Sequence, residues 1–283
     1  MKQLKQLVVL VLITVVVGCS DEDEPTPPIP LGPITDIKLT EYIQTTYSNY
    51  KEEVTRTENF YYDTDSRLTR HLTKQVFTVT MNGHVDTDSL QFENTVTYTP
   101  NEVTINDAFG NVSIYTLNQA GYATSCIRRE SEGTFIRNYT FLYSADSQLT
   151  EVTETINNNV WSRISLQPTS ETKATLSILS GGGENTNIFQ FTLGEKNTSC
   201  LPWLYLTEQH PLKLHQEAMY AQLLGKAPEL LIQSIEPEGG NEKTTYSYTT
   251  DKAGDLTSCE ENIRSSGFSY NRTVKYSINR SKL

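Results

Sequence analysis

One short unit recurs four times in this chain, and it limits the folds open to it more than any other feature. It reads Tyr61-Tyr62-Asp63-Thr64-Asp65-Ser66-Arg67-Leu68-Thr69 and returns as Leu142-Tyr143-Ser144-Ala145-Asp146-Ser147-Gln148-Leu149-Thr150. A longer version runs from Tyr246 to Cys259, and a cousin runs from Tyr115 to Cys126. The shared grammar is an aromatic strand end, a short Asp- or Asn-containing turn, and then Leu or Tyr opening the next strand. Asp and Asn side chains hydrogen-bond their own backbone in such turns, and Gly supplies positive φ where it is needed. Each copy therefore predicts a hairpin. A hairpin cannot bury its apolar face alone, so neighbours must stack beside it.

The segments between these turns agree. Gln75-Val76-Phe77-Thr78-Val79-Thr80-Met81 and Thr95-Val96-Thr97-Tyr98-Thr99 alternate apolar and polar residues at period two, the mark of antiparallel strands with one wetter face. Connections such as Asn82-Gly83, Gly110-Asn111, Asn157-Asn158-Asn159, Gly181-Gly182-Gly183 and Gly239-Gly240-Asn241 are turn chemistry. With 38 Thr and 16 Tyr against 3 Met, the composition suits a pleated surface better than helices. The expected fold is mainly β: one domain over 35–283, an antiparallel sheet of successive hairpins, either an open curved layer or a partly closed barrel. One short helix is expected over 211–224, packed on a face of the sheet. Pro211 suits its first turn, Gly225 its left-handed stop, and Pro228 follows shortly after. Leu212, His215, Met219 and Leu223 share one face of it. The apolar run Leu201-Pro202-Trp203-Leu204-Tyr205-Leu206 stands ahead of the helix.

The first 18 residues form an address. Lys2 and Lys5 precede an apolar run from Leu7 to Val17, too short for the ~20 residues that span a bilayer. The run ends in Val16-Val17-Gly18-Cys19, which resembles a bacterial lipobox. The resemblance implies cleavage before Cys19 and acylation of that residue. Residues 19–34 form an acidic, Pro-rich tether with Asp21-Glu22-Asp23-Glu24 and five prolines. Ser20 with the acidic run resembles the surface-export signal of Bacteroidetes lipoproteins, which implies an outer-membrane protein displayed at the cell surface, the periplasmic face being the alternative.

The repeated turn grammar resembles the tyrosine-aspartate (YD) repeats of the RHS type. The whole arrangement resembles the Bacteroidetes lipoproteins grouped as domain of unknown function 4595. There a lipoprotein signal precedes YD-like hairpins, a helix ending in a Gly-Lys-x-x-Pro stretch, and a final YD unit. Here those parts are Leu224-Gly225-Lys226-Ala227-Pro228 and the unit from Tyr246 to Cys259. The resemblance implies no catalytic residues.

Nothing in the sequence assembles a catalytic, metal or cofactor site. His210 and His215 are five apart, which a helix would turn onto different faces. Gly181-Gly182-Gly183 lacks the Lys-Ser/Thr of a phosphate loop, and Asp63/Asp65 and Asp86/Asp88 read as solvated turns. A net charge of −11 excludes nucleic acid as a primary partner. After Cys19, the cysteines are Cys126, Cys200 and Cys259, which allow at most one bridge between an undetermined pair. Trp161 and Trp203 are candidate glycan-stacking residues. Asp88-Ser89-Leu90 resembles an O-glycosylation acceptor of exported Bacteroidetes proteins, with Ser89 as its target. The expected function is a lipid-anchored, non-enzymatic interaction or scaffolding role toward a protein or glycan partner. The alternative is a carbohydrate-binding or carbohydrate-active protein associated with polysaccharide uptake.

Overall fold

A computed structural model describes residues 33–47, 50–133, 136–182, 185–240, 242–265 and 268–281. The signal segment, Cys19 and the tether up to residue 32 lie outside the described residues. Four long strands open the domain: β1 (Ile34–Tyr47), β2 (Tyr50–Tyr62), β3 (Leu68–Met81) and β4 (His84–Tyr98). Five shorter ones follow: β5 (Glu102–Asn106), β6 (Val112–Leu117), β7 (Ala123–Arg129), β8 (Ile136–Tyr143) and β9 (Leu149–Ile156). Then come β10 (Asn159–Ser170), β11 (Lys173–Ser180) and β12 (Asn185–Lys196). Past a long connection lie β13 (Leu230–Pro237), β14 (Thr244–Thr250), β15 (Leu256–Ser265) and β16 (Phe268–Arg280).

Every strand pairs antiparallel with its sequence neighbours, and β1 pairs with β16 from Ile34↔Arg280 to Thr46↔Ser269. Of the two arrangements expected, the barrel is formed, and it closes completely with 16 strands. Closure pairs the first and last strands and so removes the edges an open sheet would expose.

The recurring turns share one hydrogen-bond pattern. Asp63, Asn118 and Asp251 each accept, through one side-chain oxygen, the N–H groups two and four residues on. Three residues after each stands a positive φ: Ser66, Gly121 and Gly254. Ser144 heads the same backbone turn, with Ser147 at φ 66°. In each of the four units a Thr six residues on (Thr69, Thr124, Thr150, Thr257) donates its hydroxyl to a carbonyl across the hairpin. A fifth turn, Asp107 to Asn111, has the same geometry without the aromatic and Thr frame, so the repeat grammar did not reveal it. It sits at the opposite end of the barrel from the other four.

Alternation sends polar side chains outward, and inward a mainly apolar set with a few polar residues among it. On β4, Asn94 and Val96 are buried while Gln91, Glu93, Thr95 and Thr97 are exposed. On β16, Arg272 and Val274 are buried while Asn271, Lys275 and Ser277 are exposed. A lipid-facing wall carries an apolar band, and Lys or Arg at its midplane costs about 2–4 kcal/mol. On these two strands the outward places are held by polar or charged residues such as Glu93, Thr95, Asn271 and Lys275.

The lumen is filled from within by the 197–229 connection. Over 211–224, where one short helix is expected, stand a 3₁₀ turn (Leu212–His215) and the short helix α2 (Gln216–Tyr220), and the apolar run ahead of them forms a further short helix, α1 (Leu204–Glu208). They lie against the inner face of the barrel. Gln222, at φ 57°, ends α2, with Leu223 N–H bonded to the Ala218 carbonyl and Gln222 N–H to the Met219 carbonyl. The stop expected at Gly225 therefore falls three residues early. Gly225 instead permits a close approach, since a Cβ there would meet the Ser147 carbonyl oxygen at 2.5 Å. Its neighbour Lys226 donates its N–H to that same carbonyl at 2.8 Å, locking the end of the plug to the β8–β9 turn.

Candidate functional site

Five polar residues of the plug, Glu208, His210, His215, Gln216 and Glu217, each meet partners on the barrel wall. Glu208 pairs with Arg272 on β16, and His210 Nε2 lies 2.8 Å from Glu154 Oε2 on β9. The Tyr115 hydroxyl on β6 and His215 Nδ1 are hydrogen-bonded at 2.6 Å, and Gln216 donates to Glu58 Oε2 on β2 at 2.7 Å. Glu217 accepts from His71 Nδ1 on β3, 2.7 Å away, and from the Asn94 side-chain amide on β4 at 2.5 Å. Five polar plug residues thus reach six strands, which fixes both the depth and the rotation of the plug. Such pairs are costly to break, because the group left behind is buried and unpaired.

The electrostatics follow from burial and pairing. Burial alone would raise the Glu217 carboxyl, but the hydrogen bond and charge of His71 hold it at about 2. Burial would likewise lower the His71 imidazole, and Glu217 outweighs it and holds His71 above its usual value. For Glu58 burial wins, and its carboxyl is raised. Glu154, bonded by His210, Ser162 and Arg137 against its own burial, is held at about 2. Desolvation, with Arg128 nearby, pushes His215 down to about 3, so it is a neutral core imidazole. Arg272 is buried, with Glu41, Glu208 and Glu261 around its guanidinium.

Two clefts flank the packed centre. At the end bearing the four repeat turns is an apolar cleft of about 440 Å³, walled by Leu149, Leu166, Leu193, Met219 and Pro228. Toward the other end is a polar cleft of about 380 Å³ between the plug and strands β2 to β5 and β7. Its floor includes Arg56, Glu58, His71, Asn94 and Glu217, and Phe92 and Phe109 stand at its rim. Asn94 shapes this cleft twice. Its amide nitrogen bonds Glu217, and its oxygen accepts the N–H of Ala108, just beyond Asn106, where β4 and β5 cease to pair.

The expected site residues are scattered. Trp161 is 45% exposed on the outer wall of β10. Trp203 is not a stacking platform: it is 6% exposed, packs edge-on against Phe191 and donates its indole N–H to the Leu230 carbonyl at 2.7 Å. Burial leaves it no free face for a sugar ring. Ser89 is exposed on β4, and Cys19 lies outside the described residues. Cys126, Cys200 and Cys259 are all free thiols, the first and last buried. The residues of the polar cleft were not singled out in the sequence. One signal was present: Arg56 and Glu58 share the period-two parity of Val54 and Phe60, as His71 shares that of Thr73. Charged residues on the apolar parity of a strand point into the core.

These features define a class: a closed β-barrel with a polar exterior and a keyed internal plug. The chain belongs to the family described as a domain of unknown function (DUF4595) with porin-like fold, whose model matches residues 60–258. It is similar to the crystal structure of a porin-like protein from Bacteroides uniformis, at 30% identity and a TM-score of 0.75, over 88% of this chain and 98% of that one. A Nitrosomonas europaea protein assigned to AttH is 8% identical over 86% of this chain and 92% of that one, and its TM-score of 0.17 carries no argument. No curated protein matches the chain. The porin-like barrel ties the chain to an outer-membrane type of architecture.

Proposed function

We propose that this protein is a non-enzymatic interaction or scaffolding lipoprotein, held to the outer membrane by acyl chains on Cys19 and displayed at the cell surface. The observation that supports this reading most is the pairing of a polar barrel exterior with a plug keyed to six strands. A wall bearing Lys, Glu and Thr is suited to water, and a filled lumen is suited to a rigid body rather than a conduit. Membrane attachment then falls to the lipobox-like Gly18-Cys19, where each buried methylene contributes ~0.8 kcal/mol. Ser89, exposed on β4, remains the proposed O-glycosylation acceptor.

The test is Cys19→Ala. The variant is expected in the soluble fraction, or as an uncleaved precursor. Processed variant that stays membrane-bound through an alkaline carbonate wash overturns the anchor. Intact mass of native protein tests Ser89: an added hexose mass lost in Ser89→Ala supports it, and an unchanged mass removes it.

A second reading, carbohydrate binding, is favoured by the polar cleft, where phenylalanine rings border a floor of amide, carboxylate and guanidinium groups.

A further inference from the structure

We infer that the polar cleft is a binding site for a neutral oligosaccharide, a proposal that rests on the second reading above and names its site and ligand class. Sugar rings present two chemistries: apolar C–H faces and pairs of adjacent hydroxyls. Aromatic rings take the first. Planar side chains with two polar atoms, such as carboxylates, amides and guanidinium groups, take the second in bidentate fashion.

Both are built here. Phe109 is 69% exposed, and its ring centroid lies 5.9 Å from that of Phe92 at an interplanar angle of 44°. Phe109 is not a stray surface ring. It stands on the turn headed by Asp107, whose side chain accepts the Phe109 N–H at 3.0 Å, and the other Asp107 oxygen is held by Arg128 at 2.7 Å. Phe92 lies on β4 beyond its last pairing with β5, Thr95↔Asn106, so the departure of β5 opens the mouth between the two rings. Behind them the floor is rigid: His71, Asn94 and Glu217 are buried and bonded to one another. Arg56 Nε donates to Gln75 Oε1 at 3.3 Å, which fixes the Gln75 amide. Among the described residues, the Gln75 amide nitrogen and Lys213 have no protein partner, so donors remain for a ligand.

Charge selects the class. The cleft holds Glu58, Asp107, Glu208 and Glu217 against Arg56, Arg128, Lys213 and His71, a balance that draws neither an anion nor a cation. Each of the four carboxylates already faces a cation or donor of the protein. A neutral polyol can use the remaining lone pairs without disturbing those pairs.

The experiment uses the full mature lipoprotein in detergent micelles. Titration calorimetry is run with maltotriose, cellotriose, mannotriose and N,N′,N″-triacetylchitotriose, with trigalacturonate as the anionic control. At least one neutral trisaccharide is expected to bind, more tightly than trigalacturonate. Phe109→Ala should weaken that binding about fivefold to tenfold, in line with the loss of one aromatic face, and Gln75→Ala should weaken it too. Trp161→Ala should leave it unchanged. Phe109 is exposed, so its variant is expected to fold, and a thermal melt checks this. Absence of binding by all four neutral sugars overturns the inference, as does binding lost in Trp161→Ala but kept in Phe109→Ala. The anchor is read separately in the carbonate wash: a protein that resists the wash but binds no sugar loses this site and keeps its proposed place on the membrane.

Discussion

The Nδ1 of His71 lies 2.7 Å from a carboxylate oxygen of Glu217, although the two residues stand 146 positions apart. The pair joins strand β3 to the plug. With His71 raised and Glu217 held at about 2, the linkage signs are opposite. The His71 contribution is fully present below its unfolded pKa and is lost as pH rises through the folded value. The Glu217 contribution is present above its unfolded pKa and is lost as pH falls toward about 2. The pair therefore stabilises most where both are charged, roughly between pH 4.5 and 6.5. Glu217→Gln should flatten both limbs of a urea-midpoint profile against pH. His71→Ala, which leaves a buried carboxylate unpaired, should cost about 3–5 kcal/mol.

Arg272 answers three carboxylates, from Glu41 on β1, Glu261 on β15 and Glu208 on the plug. Arg272→Leu leaves the buried Glu41 and Glu261 unpaired, with the part-exposed Glu208 beside them, and about 3–5 kcal/mol of stability should be lost. Arg272→Lys should recover only part of this, since one ammonium cannot reproduce the guanidinium fork. Chemical denaturation of the three proteins side by side provides the comparison. Equal stability of the Leu and Lys variants would show that the charge is immaterial.

Gly225 and Gly121 have nearly the same positive φ, 86° and 85°, but different surroundings. A Cβ at Gly121 meets nothing within 4 Å, whereas one at Gly225 meets the Ser147 carbonyl oxygen and the Tyr143 ring. Gly121→Ala should cost only the left-handed backbone penalty, about 1–2 kcal/mol. Gly225→Ala should cost about 1–3 kcal/mol more through overpacking at the plug's docking point. Thermal melts of the two variants should keep that order.

Burial pushes the Cys126 and Cys259 thiols up to about 12, while Cys200 is exposed. Thiolate is the reactive form, so iodoacetamide at pH 8 should modify Cys200 alone in the folded protein. Urea should open the other two. Peptide mapping counts the adducts. Rapid labelling of Cys126 in native protein would mean that the barrel wall opens locally at β7.

The hairpins could be read from the chain because they are local. An Asp or Asn oxygen reaching the N–H groups two and four residues on leaves its mark within a single turn, as at Asp63 and Asp251. Period-two alternation does the same for a strand, and Pro211 and the run before it marked the segment that became the plug. The sequence by itself thus determined strands, turns and the existence of a helical interruption.

Tertiary structure decided the rest. Whether the sixteen strands close depends on β1 meeting β16, a pairing between the two ends of the domain that no local pattern encodes. The plug broke into three short pieces because helix propensity amounts to only tenths of a kcal/mol per residue. Its partners on the wall, Arg272, Glu154, Tyr115, Glu58 and His71, are buried, and each is costly to leave unpaired. The polar cleft shares that origin. The β4–β5 hairpin brings Phe92, Asn94 and Phe109 together, but Glu217 joins them only when the plug packs inside the barrel, since side chains distant in sequence meet through packing and not through any local rule of the backbone.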